Sequence, residues 1–387
     1  MFKAIIEFVR DRYQTNEFIP LHAPVFHGNE SDYVIDTIRS TFVSSVGAYV
    51  DRFEREVAAY TNSSNAVVTV NGTSALHIAL ILAGVKSTDY VITQPLTFVA
   101  TCNAITYCNA APVFLDVDRT TLGLSPYAVD AWLSENAIVD DTGLCRHKKN
   151  SRIIRACVPM HTFGHPVNMR DLLEVCERWG LVLIEDAAES LGSLYQGQHT
   201  GTFGTFGILS FNGNKIITTG GGGMLLSQDQ GLGKKAKHLT TTAKLAHPFE
   251  YFHDEVGYNY RMPNLNAALG CAQLEQLEGF IINKRKLAHE YQALLANSSV
   301  KFVSEPESCR SNYWLNAVIC EDHAQRDELI KETNESGIMT RPIWKLMNTL
   351  PMYHDALRGS LQEAEWLTER VVNLPSSVCA SLESDNA

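Results

Sequence analysis

The sequence predicts an α/β protein with a large domain built on a mostly parallel, mixed sheet flanked by helices, and a smaller C-terminal α/β domain. Three observations predict it. Strand-like and helix-like segments alternate from Ala66 to about Ser227. Several of the strand-like segments are apolar throughout, which marks strands covered on both faces of a parallel sheet. Beyond Pro263 a proline-free helical pattern, LNAALGCAQLEQLEGFIINKRKLAHEYQALL, leads to further strand candidates. The expected division is 1–260 for the N-terminal segment and large domain, and 261–387 for the connecting helix and small domain.

The elements follow in order. MFKAIIEFVRDRYQ mixes charge into its apolar residues at helical spacing and reads as an amphipathic helix, not a secretory signal. AVVTV (66–70) is rich in β-branched residues and leads into the helical GTSALHIALILAG. DYVITQ (89–94) leads into LTFVATCNAITYCNA, and APVFLDV (111–117) follows. The polar stretch ENAIVDDTGLCRHKKN (135–150) is expected to be an exposed loop. RIIRACVPM (152–160) precedes the helical NMRDLLEVCERWG (168–180), and LVLIED (181–186) is a short apolar strand ending in acid. VKFVS (300–304) and YWLNAVI (313–319) are the strand candidates of the small domain.

The chain has 387 residues, 45% hydrophobic and 19% charged, enough for a sizeable core. A formal net charge of -11 argues against nucleic acid or an anionic membrane as partner. The 9 cysteines are scattered, with no CxxC pair, which fits reduced thiols in the cytoplasm and no zinc site. No apolar run is long enough to span a bilayer.

The chemistry-bearing stretches sit where strands turn into helices. In NGTSALHIAL, Gly72 permits a tight turn, and Thr73 and Ser74 offer hydroxyls and N–H groups to an anion. An N-capped buried helix would use the same residues. Phe98, in PLTFVAT, is either a ring that stacks on a flat ligand or a core phenylalanine. Asp186 ends an apolar strand, where an unpaired carboxylate is costly, so it needs a cation or donors. A protonated pyridine nitrogen would serve; so would a helix cap. A metal lacks a nearby cluster of ligands, His161 and His165 being too ambiguous to supply one.

ILSFNGNKIITTGGGG (208–223) holds Ser210 at a strand end and Lys215 five residues on. Between Glu189 and Asp229 no other Asp, Glu, Lys or Arg occurs. A lone cation in so long an uncharged stretch suits a Schiff-base lysine better than a solubilising one. The glycines read as a close backbone passage rather than a linker. GYNYRMPNLNAALG offers Asn259 and Arg261 to anions, and GIMTRPIWKLMNTLPMY either offers Arg341, Trp344 and Lys345 to a nucleotide diphosphate and its base or is a solvated loop.

NGTSAL, PLTFVATCNAI, PVFLDVD, IEDAAES, SFNGNKIITTGGGGM, GYNYRMPNLNAALG and LPSSV, in this order, resemble the DegT-type sugar-nucleotide aminotransferases, which have the aspartate-aminotransferase-like fold (fold type I) of pyridoxal 5'-phosphate (PLP) enzymes. The resemblance implies that Lys215 holds PLP as an internal aldimine and that Asp186 pairs with its ring nitrogen. It implies that Phe98 lies on the ring, and that Gly72, Thr73, Ser74 and Ser210 bind the phosphate. Glu189 would face the ring hydroxyl, a position often Gln or His in relatives. Asn259 would reach the cofactor of a second subunit, so a homodimer with shared sites is expected. FIPLHAPVFHGNE, TFVSSVGAYVDRFE and MHTFGHPVN look most similar to enzymes of the legionaminic-acid pathway. That likeness implies a UDP-linked 2-acetamido-2,6-dideoxy-4-keto-hexose as acceptor, glutamate as donor, and Ser44, Ser45, Gly47, Arg341 and Trp344 around the nucleotide sugar. A GDP-linked perosamine-type substrate and a 3-keto sugar are the competing acceptors. Dehydratases with histidine at the lysine position are the competing class, and Lys215 speaks against them.

Overall fold

The computed structural model describes residues 2–380. Its main sheet has eight strands in the order Asn65–Thr69, Gly223–Ser227, Phe206–Ser210, Val182–Asp186, Ile154–Val158, Tyr90–Thr93, Ala111–Phe114 and Leu357–Arg358. All pairings from Phe206–Ser210 to Leu357–Arg358 are parallel. Gly223–Ser227 runs antiparallel to both its neighbours. The sheet is therefore mixed but mostly parallel.

Successive side chains of a strand point to opposite faces, and here both faces are buried. Val91, Val158, Ile184 and Ile208 enter one core with the helix Gly72–Leu82. Their neighbours Ile92, Cys157 and Leu183 enter another with the helix Met169–Trp179. This is why the strands read as unbroken apolar runs. The helix Val99–Tyr107 covers the first of these faces beside Gly72–Leu82.

A second sheet, Lys301–Phe302, Asn316–Ile319, Val371–Leu374 and Arg341–Pro342, is antiparallel throughout. The 32-residue helix Asn264–Leu295 links it to the main sheet and packs on the helices Glu30–Arg39 and Ala48–Thr61. Contacts cross the expected boundary at residue 260 in both directions. The first helix, Phe2–Tyr13, buries Phe2, Ile5 and Val9 with Leu287 and Tyr291 of the long helix and Val318 and Val372 of the second sheet. Leu357–Arg358 returns to pair with Ala111–Phe114 at the edge of the main sheet.

The segment expected as a loop at 135–150 is a hairpin instead. Ala137–Val139 pairs with Cys145–His147. Asp140 Oδ1 closes its turn by accepting from Thr142 N at 2.9 Å and Leu144 N at 3.1 Å, and Gly143 takes φ +78°. The strands are three residues each. Their order comes from this polar turn and from buried Cys145 and His147, not from an apolar alternation visible in sequence.

Among the described residues no helix is long and apolar enough to cross a membrane. All nine cysteines are free thiols.

Candidate active site

Parallel strands send their carboxyl ends the same way, and ligands bind there. Asp186 and Ser210 are the last residues of adjacent strands. Gly72 opens the helix that follows Asn65–Thr69, and Phe98 is the residue before the helix Val99–Tyr107. Chain direction alone thus gathers residues far apart in sequence. They surround a cavity of about 460 Å³. Gly72, Thr73, Phe98, Asp186, Glu189, Ser210, Lys215 and Trp344, all singled out from the sequence, line it.

Asp186 is buried on the cavity floor. Its Oδ2 accepts from Thr101 Oγ1 at 2.7 Å and its Oδ1 from Ala188 N at 3.2 Å. Burial pushes its carboxyl above the ordinary value; those two bonds and Lys215 pull the other way. Such a group wants a cation across from it. Behind it, Glu185 accepts from the N–H groups of Gly201, Phe203 and Gly204 at 2.7–2.8 Å and contacts His161 Nε2 at 3.1 Å. Val167 N donates to His161 Nδ1 at 3.1 Å, so the ring proton sits on Nε2. His161 therefore braces the strand that presents Asp186.

Lys215 hangs from a turn in which its own N–H donates to Asn212 O at 3.0 Å. Its side chain is 13% exposed, and Nζ lies 3.1 Å from Oε1 of Glu189, which is 1% exposed. Glu189 Oε2 accepts from Phe163 N at 2.9 Å. Burial pushes the Glu189 carboxyl up to about 7, against the opposing pull of Lys215. On its other side Nζ lies 4.0 Å from the ring centre of Trp314, a cation–π contact.

The helix start is capped by Asn71 Oδ1, which accepts from Ser74 N at 2.8 Å. A side chain at Gly72 would press on Ser210 Cβ at 3.1 Å. A Cβ at Gly223 would overlap the Asn71 carbonyl carbon and the Gly72 nitrogen. The glycine run is thus a backbone-on-backbone passage against this helix start. Gly220 takes φ +76°.

The chain does not bring all the expected residues together. Ser74 faces an adjoining small cavity with His77, Tyr107 and Tyr260. Ser44 is exposed, its carbonyl accepting from Asn264 N at 2.6 Å. Ser45 faces a separate cavity with Lys237 and Arg261. Asn259 is exposed and accepts from Arg261 Nε at 3.1 Å, and Arg341 is exposed in the second sheet. None of these five lines the cavity that holds Lys215. Motif order in a chain does not record which side of the molecule a loop reaches.

Asn71, Thr101, Asn214 and Trp314 line the cavity and were not singled out from the sequence. Thr101 was within reach, one helical turn past Phe98 on the same helix start. Trp314 had no such signal, for it sat inside a strand candidate.

A mostly parallel sheet with a lysine–glutamate pair and a second buried carboxylate at its strand ends defines a fold type I PLP enzyme. The chain belongs to the DegT/DnrJ/EryC1/StrS aminotransferase family, whose profile matches residues 25–386. It is 37% identical over 363 residues to EpsN of Bacillus subtilis, covering 92% of this chain and 90% of that one. It is 37% identical over 360 residues to GDP-perosamine synthase of Escherichia coli O157:H7, covering 93% of each. The crystal structure of the aminotransferase TlmJ from Streptoalloteichus hindustanus superposes with a TM-score of 0.82 at 27% identity, over 92% of this chain and 93% of that one. The protein is a PLP-dependent sugar aminotransferase.

The cavity fits that cofactor. Asp186 is a buried carboxylate in want of a cation. Phe98 leaves 52% of its surface uncovered at the cavity wall, an apolar face for a flat ring. The helix start beside Ser210 presents N–H groups to a phosphate.

Proposed function

We propose that this protein moves an amino group from glutamate to the 4-keto carbon of a UDP-linked 2-acetamido-2,6-dideoxy-4-keto-hexose. It would do so in the cytoplasm as a homodimer with shared sites, in the making of legionaminic acid or a related surface glycan. The observation that carries the amino transfer is Lys215 Nζ, held in the cavity between Glu189 and Trp314. A histidine there, as in dehydratases, could not bond the cofactor in this way.

Lys215 Nζ would hold the cofactor, and as a free amine it would move a proton to and from the substrate carbon, a positioned transfer worth about 10²–10⁴-fold. Asp186 would keep the ring nitrogen protonated. When bound, PLP supplies a ring that accepts the electron pair of the substrate carbon. Phe98 would lie on the ring face and keep water off it. Gly72, Thr73 and Ser210 would hold the phosphate from this cavity and Ser74 from the adjoining one, and Asn259 would serve the cofactor of the second copy. Arg341, Trp344, Ser44 and Ser45 would hold the nucleotide sugar; Trp344 already lines the cavity, its ring centre 5.0 Å from that of Phe163.

Reduction of the yellow holoprotein with borohydride should fix the cofactor on Lys215, read by peptide mass. A label elsewhere refutes the role of that lysine. The acceptor is tested with UDP- and GDP-linked 4-keto sugars and glutamate, read by product mass. The similarity to a GDP-perosamine synthase favours a second reading, in which the GDP-linked 4-keto-6-deoxy sugar is the acceptor. Faster turnover of that sugar, or equal turnover of both, would overturn the UDP assignment.

A further inference from the structure

We propose that Glu189 takes up the proton that Lys215 must shed before its amine can act as a base. The inference rests on the reading of Lys215 as the residue that carries the cofactor. The step breaks one N–H bond at Nζ and forms one O–H bond at Oε1: the ammonium becomes an amine and the carboxylate a carboxylic acid. No other atom changes, and no co-reactant is needed.

The geometry singles out Glu189 for three reasons. Its Oε1 is 3.1 Å from Nζ, while its other oxygen is held by Phe163 N, so the pair is fixed in a proton-transfer arrangement. Both side chains are largely shut off from solvent, so bulk water is a poor acceptor for the proton. Finally, the cavity sets two buried carboxylates, Asp186 and Glu189, against one ammonium. Asp186 keeps the Thr101 hydroxyl and the Ala188 N–H whatever the state of Lys215. Once Nζ is neutral, Glu189 loses the cation that faces it and keeps only neutral donors such as the Phe163 N–H for a buried negative charge, and protonation relieves it. The charged groups facing the Glu189 carboxylate are Lys215 and Asp186, and His22 faces Lys215. Burial has already moved the Glu189 carboxyl up to about 7, where gaining and losing a proton both lie within reach. A fixed counter-ion would not need to exchange a proton, and this is what the test separates.

The experiment compares holoprotein of the wild type, Glu189→Gln and Glu189→Asp. The single-turnover loss of the cofactor's visible band with glutamate is followed against pH. In the wild type the rate should show an acid limb, falling as pH falls, because a protonated Glu189 can accept nothing more. Glu189→Gln should lose about 10²-fold in rate and lose that acid limb, and Glu189→Asp should recover part of both. An unchanged limb in Glu189→Gln, with less than about a 3-fold loss, overturns the proposal. A second readout needs no variant and no turnover. The infrared difference spectrum of the wild-type holoprotein across its own acid limb should contain a protonated-carboxyl band, moved by isotopic labelling of glutamate and not of aspartate. Its absence overturns the proposal even if Glu189→Gln fails to fold. Borohydride labelling of the same samples tells the two readings apart: label on Lys215 with neither pH effect defeats this inference alone, whereas label elsewhere defeats the reading beneath it.

Discussion

The indole of Trp314 holds two adjacent residues of the lysine turn. Its Nε1 donates to the Asn214 carbonyl at 2.7 Å, and its ring centre lies 4.0 Å from Lys215 Nζ. Trp314→Phe would keep an aromatic face but delete the hydrogen bond, which is worth about 0.5–1.5 kcal/mol. PLP affinity is expected to fall about 2- to 10-fold, measured by absorbance titration of cofactor-free protein. Trp314→Ala leaves a cavity as well, so its melting temperature should drop further, in line with a loss of about 3–5 kcal/mol. Unaltered PLP affinity in Trp314→Phe would show that the turn holds itself.

Gly223 separates the two meanings of a glycine run. Gly223→Ala must displace the Asn71–Gly72 backbone, whereas a Cβ at Gly221 meets nothing closer than Val70 O at 3.9 Å. Gly223→Ala should cost about 1–3 kcal/mol of stability and weaken PLP binding, seen by thermal melting and titration. Gly221→Ala should do neither. Equal behaviour of the two would refute the close-passage account.

Phe98 is a surface residue until something covers it. Phe98→Ala should leave the melting temperature of cofactor-free protein nearly unchanged, within about 0.5 kcal/mol. Its PLP affinity should fall by about 2- to 10-fold, the worth of a ring contact. A large loss of stability without cofactor would instead make Phe98 a core residue.

The buried Glu189 carboxyl also makes stability depend on pH. Its value rises from 4.5 to about 7 on folding, so the folded state binds its proton more tightly than the unfolded one. The stability this supplies is present below about 4.5 and is lost as pH rises to about 7. In cofactor-free protein, wild-type stability minus that of Glu189→Gln should therefore decline from about pH 4.5 to about pH 7, read by chemical denaturation. Subtracting the variant removes Asp140, Asp254 and Glu305, whose carboxyls lie below their ordinary values and drive the opposite slope. A difference that grows with pH would contradict the buried-carboxyl account.

The sequence by itself determined the alternation of buried strands and helices, because a strand covered on both faces must be apolar at every position. It also marked Lys215, Asp186, Phe98 and the glycine turn, since each breaks a local rule: a lone charge, an acid ending an apolar strand, an aromatic before a helix, glycines inside an ordered element. Those are violations that only a site offsets. Trp314 breaks no rule in its own neighbourhood, and the hairpin at 137–147 is ordered by one polar turn, so neither was legible. The tertiary structure decided which marked residues meet. Glu189 meets Lys215 because two parallel strands end side by side, while Asn259, expected at a second copy's cofactor, and Arg341 do not line that cavity in the same chain. Local chemistry is written residue by residue, but a distance across the sheet is set by strand order and chain direction.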